Sequence, residues 1–128
     1  MNIRTVREIT TMGGKKIKAL LFEPDKAPRQ IEIKEYDDLE EYIGCECPSG
    51  IRVNTETELF YSDAIGAEYD ALPYTTTIIC GEYSGDCTED RYTFFELRGT
   101  GVMVGIEEVF GSLDEHTLNW YMSGEHLI

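Results

Sequence analysis

A chain of 128 residues with 41% hydrophobic and 11% aromatic residues can bury a core of its own, and we predict a single domain spanning residues 1–128. Its formal net charge of −14 argues against direct binding of nucleic acid, because phosphates would be repelled. The sequence has neither an apolar run long enough for a membrane span nor the apolar core of a secretory signal, so a cytoplasmic protein is expected.

The charge is distributed unevenly along the chain. Residues 1–34 carry 8 Lys and Arg against 4 acidic residues, whereas residues 35–128 carry 3 Lys and Arg against 21 acidic residues. A segment this negative is compatible with a basic partner surface, and it is also compatible with charge that only keeps the protein soluble.

The first elements are predicted to be a β-hairpin and a helix. Residues 16–22 and 29–34 alternate apolar and polar side chains on either side of a Pro-containing turn, which is typical of paired strands. Residues 1–15 fit a short helix, an extra strand or a separate N-terminal arm. At residues 36–44, Tyr36, Leu39, Tyr42 and Ile43 share one helical face, and the neighbouring acidic residues take the solvated face.

The second half of the chain is richer in strand patterns. Short strands are expected at residues 51–53 and 58–61, followed by a loop or irregular helical turn at 62–73. The β-branched run at 75–80 is typical of a central strand, and strands at 92–97 and 101–106 follow it. Ser112 and Glu115 have the spacing of a capping box, which predicts a second helix at about 113–123. The whole pattern predicts an α+β fold with a mainly antiparallel sheet of five to six strands and two helices.

The sequence contains no standard motif for catalysis or for metal binding. It has neither a Gly-x-Ser-x-Gly nucleophile motif nor a phosphate-binding Gly-x-x-x-x-Gly-Lys loop. The spacing of its Cys and His residues does not match a structural zinc site. These residues are Cys45, Cys47, Cys80, Cys87, His116 and His126. We therefore predict no metal, no cofactor and no enzymatic activity, with the four thiols free; a bridge between Cys80 and Cys87 across a hairpin is the alternative.

Several short motifs follow one another in the order found in a known family. They are Lys16-Ile-Lys-Ala-Leu-Leu-Phe-Glu-Pro24, Cys80-Gly-Glu82 with Gly85, Asp90-Arg91, Gly99-Thr-Gly-Val-Met-Val-Gly105 and Ser112-Leu-Asp-Glu115. Over roughly residues 16–124 the chain resembles the phage and mobile-element proteins of the domain of unknown function number 3846 family. Asp90 stands where that family usually has asparagine, and residues 48–74 are longer than its corresponding segment. The resemblance implies a protein of a phage or mobile genetic element acting inside a bacterial host cell.

Acidity and this implied context together predict an anti-defence function. Small acidic proteins of such elements often antagonise host nucleic-acid-binding enzymes, so we predict an inhibitor that binds the basic surface of a defence enzyme as a nucleic-acid mimic. The predicted partner-binding residues are Asp37, Asp38, Glu40, Glu41, Asp86, Glu89 and Asp90.

The alternative prediction is a module that binds or sequesters a small, nucleotide-like molecule. Its predicted ligand-binding residues are Glu82, Arg91, Gly99 and Thr100. Because the surrounding segment is strongly negative, this function requires the few arginines to converge on one pocket.

Overall fold

The computed structural model describes residues 16–54, 56–82, 91–106 and 110–124. Its strands are β1 (Ile17–Phe22), β2 (Arg29–Ile33), β3 (Ser49–Asn54), β4 (Thr57–Tyr61), β5 (Tyr74–Glu82), β6 (Arg91–Arg98), β7 (Gly101–Ile106) and β8 (Phe110–Gly111). Its helices are α1 (Tyr36–Ile43), α2 (Ala67–Asp70) and α3 (Glu115–Met122). The predicted α+β class is confirmed, whereas the predictions for residues 1–15 lie outside the described residues.

The main sheet is antiparallel, with its strands in the order β2-β1-β7-β4-β3 and β8 paired with β7. The predicted hairpin of β1 and β2 is confirmed, with Ile17 opposite Ile33. The central strand is β7, in which the first five residues are buried. Since Gly-Val-Met-Val-Gly contains no charged side chain, this segment can be covered on both faces.

Alternation along the strands divides the core into two clusters, one on each face of the main sheet. In β1, Ala19 and Leu21 pack towards α1, while Leu20 and Phe22 pack towards α3 and the β5–β6 hairpin. Leu39 of α1 is only 1% exposed, but the prediction was wrong for Tyr42, which is 40% exposed because it lies at the edge of that face. The described residues therefore form three layers: α1, the main sheet, and a third layer made of α3 and the β5–β6 hairpin.

Residues 75–80 form a strand as predicted, but the prediction that this strand is central was wrong. This segment belongs to β5, which among the described residues pairs only with β6, in a separate two-stranded sheet. Ile78 is buried, but the next cross-strand pair, Ile79 and Phe94, is 43% and 73% exposed. A run of apolar and β-branched residues suggested burial on both faces, but only one face of the hairpin meets the core.

The two longer helices were predicted, although the start of α3 differs from the prediction. The backbone amide of Thr117 donates to Asp114 Oδ1 over 2.7 Å, so Asp114 is the N-cap and α3 begins at Glu115. This bond to the carboxylate lowers the pKa of Asp114. Ser112 does not cap the helix, because its hydroxyl accepts a hydrogen bond from the amide of Lys18. No helix in the described part of the chain is long and apolar enough to cross a membrane.

Candidate functional site: an acidic surface on α1

Helix α1 and the segments beside it form an acidic surface. One shallow depression, of about 350 Å³, is lined by Asp37, Glu40, Glu41 and Glu46 together with Gly44 and Cys45. A second, of about 330 Å³, is lined by Glu32, Asp38, Glu41 and Tyr42. Because Glu41 lines both depressions, they adjoin. We call the six acidic residues of the two depressions the α1 acidic surface: Glu32, Asp37, Asp38, Glu40, Glu41 and Glu46.

The packing of α1 explains why these carboxylates face outwards. Leu39 is buried against the main sheet, and Ile43 packs against the same cluster one turn later. Residues on the remaining arc of the helix are left towards solvent. Gly44 ends the helix in the left-handed conformation, with φ of 83°, and the chain then turns towards Glu46.

Asp38 differs from the other residues of this surface because its carboxylate holds the start of the helix. Asp38 Oδ2 accepts hydrogen bonds from the backbone amides of Lys34, at 2.9 Å, and of Glu35, at 3.0 Å. These donors precede the first turn of α1 and have no partner within the helix. Asp38 therefore has a structural function, and a charge-removal test of the surface should leave it in place.

The sequence around α1 is poor in cations. No Lys or Arg occurs between residues 35 and 51, although this segment contains six acidic residues. Lys16 Nζ lies 3.6 Å from Glu32 Oε2, but both side chains are more than half exposed. Two more cations, Lys26 and Arg29, pair with Glu23 at the β1–β2 turn, which is the end of that hairpin opposite α1. Of these three cations, only Lys16 therefore lies against a residue of the α1 acidic surface, at Glu32.

The other predicted partner-binding residues, Asp86, Glu89 and Asp90, lie outside the described residues. The strands on either side of them, β5 and β6, pack on the face of the main sheet opposite α1. The ends of β5 and β6 that adjoin residues 83–90 therefore lie in a different layer from α1.

The geometry of β5 and β6 separates the residues of the predicted ligand pocket. Glu82 and Arg91 occupy opposing positions at one end of the two-stranded ladder, and their side chains are not among those described. Gly99 and Thr100 follow the other end of β6. Eight residues of strand span roughly 25 Å, so these four residues do not converge on one pocket.

A second arginine of this segment, Arg98, is used within the fold. Its Nε donates to Glu96 Oε2 over 2.8 Å, and its guanidinium also donates to the carbonyl of Leu72 over 3.1 Å. The small-molecule alternative requires a second arginine beside Arg91. Arg98 does not supply it.

The thiols lie in different environments. Cys45, Cys47 and Cys80 are free, and burial raises the pKa of both Cys45 and Cys80. Among the residues that the structure describes, no group of three or more His, Cys, Asp or Glu side chains is arranged to hold a metal ion. Cys87 and His126 are outside those residues.

Sequence reasoning missed a cavity of about 610 Å³ at one end of the third layer. It lies between the end of β1 with the following turn, the start of β5 and the end of α3. Its lining is mostly apolar, and Phe22 and Tyr121 form its inner wall. No local pattern reveals such a site, because residues about 50 positions apart along the chain contribute to it.

A scan against protein-family models found no match, and searches of curated proteins and of solved structures found none. The resemblance to the domain of unknown function number 3846 family therefore stays a prediction.

Proposed function

We propose that this protein is a non-catalytic inhibitor that binds the basic groove of a nucleic-acid-binding enzyme through the α1 acidic surface. The observation that supports this proposal is the pair of adjoining depressions lined by carboxylates of β2, α1 and the following turn. The sequence resemblance adds the expectation that the target is a defence enzyme of a bacterial host.

The spacing of charge on α1 is suited to imitating nucleic acid. Four acidic residues fall within the five positions 37–41, and a helix rises 1.5 Å per residue. The helix therefore carries about one negative charge per 1.9 Å of its axis, against about 1.7 Å for duplex DNA. A groove of Lys and Arg that accepts a duplex would meet a similar charge density on this helix.

A rigid support favours binding through such a surface. The buried Leu39 fixes α1 on the main sheet, and the two bonds to Asp38 fix its first turn. Charges that are already held in position lose less conformational entropy when a partner binds. Association would be electrostatically steered, and hence slower and weaker at high salt.

The test is a pull-down from nuclease-treated bacterial lysate with purified tagged protein, at low and high salt. The key variant combines Asp37→Asn, Glu40→Gln, Glu41→Gln and Glu46→Gln, which retains Asp38 and so retains the start of α1. A matched control removes four exposed acidic charges elsewhere, by Glu56→Gln, Glu68→Gln, Asp70→Asn and Glu115→Gln. Both variants have the same net charge, so any difference between them reports the position of the charge.

We expect the native protein and the control variant to capture a nucleic-acid-binding enzyme that the α1 variant does not capture. Added duplex DNA or RNA should release that enzyme, because it competes for the same groove, and the native protein should inhibit the enzyme's activity. Capture that ignores salt, competitor and the α1 substitutions contradicts the proposal. Equal loss in both variants also contradicts it, because net charge alone would then account for binding.

A further inference from the structure

We propose that the cavity between the β1–β2 turn, the start of β5 and the end of α3 is a binding site for a small aromatic molecule that carries one anionic group. We call it the α3–β5 cavity. It lies on the opposite side of the main sheet from α1, so this inference is independent of the acidic surface.

The size and walls of the α3–β5 cavity are those of a small-molecule site. Its volume of about 610 Å³ lies within the roughly 300–1,000 Å³ typical of ligand pockets. Phe22 and Tyr121, which contact each other edge to face with ring centroids 5.4 Å apart, form the inner wall. Tyr74 and Met122 stand nearer the surface, 49% and 38% exposed. Aromatic and thioether walls of this kind favour a flat aromatic ligand.

A buried hydroxyl provides an independent indication of a ligand. Thr76 lines the cavity and is only 8% exposed, yet its side chain makes no hydrogen bond to another described residue. The neighbouring hydroxyl of Thr75 donates to the carbonyl of Gly99, and that of Tyr74 is bonded to Thr77. Because buried polar groups are nearly always hydrogen-bonded, the Thr76 hydroxyl is suited to a polar atom of a bound molecule.

The mouth of the cavity carries one cation. Lys26 is the only cation among the described lining residues. Its side chain is 65% exposed, and its ammonium group lies 3.8 Å from Glu23 Oε2, which is a loose pairing at the surface. The long side chain of lysine can turn from that carboxylate to an anionic group at the mouth. Asp25 lines the cavity beside Lys26 and repels anions, so the lysine can attract no more than a single negative charge.

Two fluorescent probes that differ in one group test both parts of the proposal. 8-Anilinonaphthalene-1-sulfonate is aromatic and anionic, and N-phenyl-1-naphthylamine has the same rings without the sulfonate. Each is titrated into the full chain and into four variants: Ala27→Trp, Lys26→Gln, Ile65→Trp and Phe94→Ser. Circular dichroism and urea unfolding of each variant verify that it is folded, because partly unfolded proteins also bind such probes.

We expect one probe per chain, with the sulfonate probe bound more tightly. Ala27→Trp should weaken both probes by about tenfold or more, because the indole would take up space in the cavity mouth. Lys26→Gln should weaken only the sulfonate probe, by about two- to fivefold, as for an exposed ion pair. Ile65→Trp, at an 81% exposed position of another loop, should change neither affinity.

Three results would overturn the inference. Binding that survives Ala27→Trp but is lost in Phe94→Ser would place the probe on the exposed Ile79–Phe94 pair instead. Equal affinity for the two probes, unchanged by Lys26→Gln, would remove the anionic part of the proposal. Absence of binding to the folded native chain would remove the site itself.

Discussion

At the scale of single residues, identical charges have different functions on the same helix. The carboxylate of Asp38 accepts two backbone hydrogen bonds at the start of α1, while Glu41 lies three residues later on the exposed side. Both contribute negative charge to the α1 acidic surface. Only Asp38 also supplies partners for amides that α1 itself leaves without an acceptor.

This difference predicts unequal effects of truncation. Asp38→Ala should lower the free energy of unfolding by about 1 kcal/mol, which is typical for the loss of a helix-capping side chain. Glu41→Ala removes the same charge but should change stability by less than about 0.5 kcal/mol, as for most surface substitutions. Urea denaturation of the two variants measures both values. Equal losses would show that charge, rather than the two hydrogen bonds, decides the effect.

At the scale of elements, β7 holds the main sheet together. It pairs with β1, β4 and β8, and Gly105 has β4 on one side and β8 on the other. A Cβ atom on Gly105 would collide with the carbonyl oxygen of Ser112. Glycine at this position therefore permits the close approach of the segment that leads from β8 into α3.

We expect Gly105→Ala to destabilise the protein by about 1–3 kcal/mol, because the colliding atom belongs to the backbone and cannot turn away. Gly50→Ala is the matched control in edge strand β3. Its added Cβ would meet only side-chain atoms, those of Glu58 and Phe60, so a smaller change, below about 1 kcal/mol, is expected. Thermal and urea unfolding measure both. If Gly105→Ala is tolerated as well as the control, β8 and α3 are not held closely against β7.

At the scale of the whole molecule, the layers distribute a net charge of −14 unevenly. The α1 acidic surface collects six acidic residues on one outer side of the sheet. Like charges at this density repel one another and destabilise the compact state, and dissolved salt screens that repulsion. The same feature that suits a basic partner therefore costs stability in the absence of one.

Stability should consequently increase with salt. Between about 0.02 M and about 0.5 M NaCl we expect the free energy of unfolding of the native chain to rise on the order of 1 kcal/mol. The variant with Asp37, Glu40, Glu41 and Glu46 neutralised should gain less. The control variant with Glu56, Glu68, Asp70 and Glu115 neutralised should keep more of the increase, because its remaining α1 charges still repel at close range. A native chain whose urea midpoint is independent of salt would refute this expectation.

Much of the fold could be predicted because its signals are local. The alternation at residues 16–22 predicted β1, and the spacing of Leu39 and Ile43 predicted α1 and its outward acidic face. The start of α3 could not be predicted in the same way. Ser112 fitted a capping box, but its hydroxyl accepts from Lys18, 94 residues away, and Asp114 takes its place at the helix. Which backbone amide donates to the Ser112 hydroxyl is decided only when distant segments of the chain meet.

The sequence by itself determined the class of fold, the two longer helices and the concentration of carboxylates at residues 37–41, because periodicity and charge are properties of short segments. Tertiary structure alone decided which strand is central, since β5 and β7 are both apolar but only β7 is covered on both faces. It also decided that Glu82 and Gly99 lie at opposite ends of one hairpin, and that three distant segments enclose the α3–β5 cavity. Burial and proximity depend on contacts between segments far apart in the chain, and no short stretch of sequence encodes them.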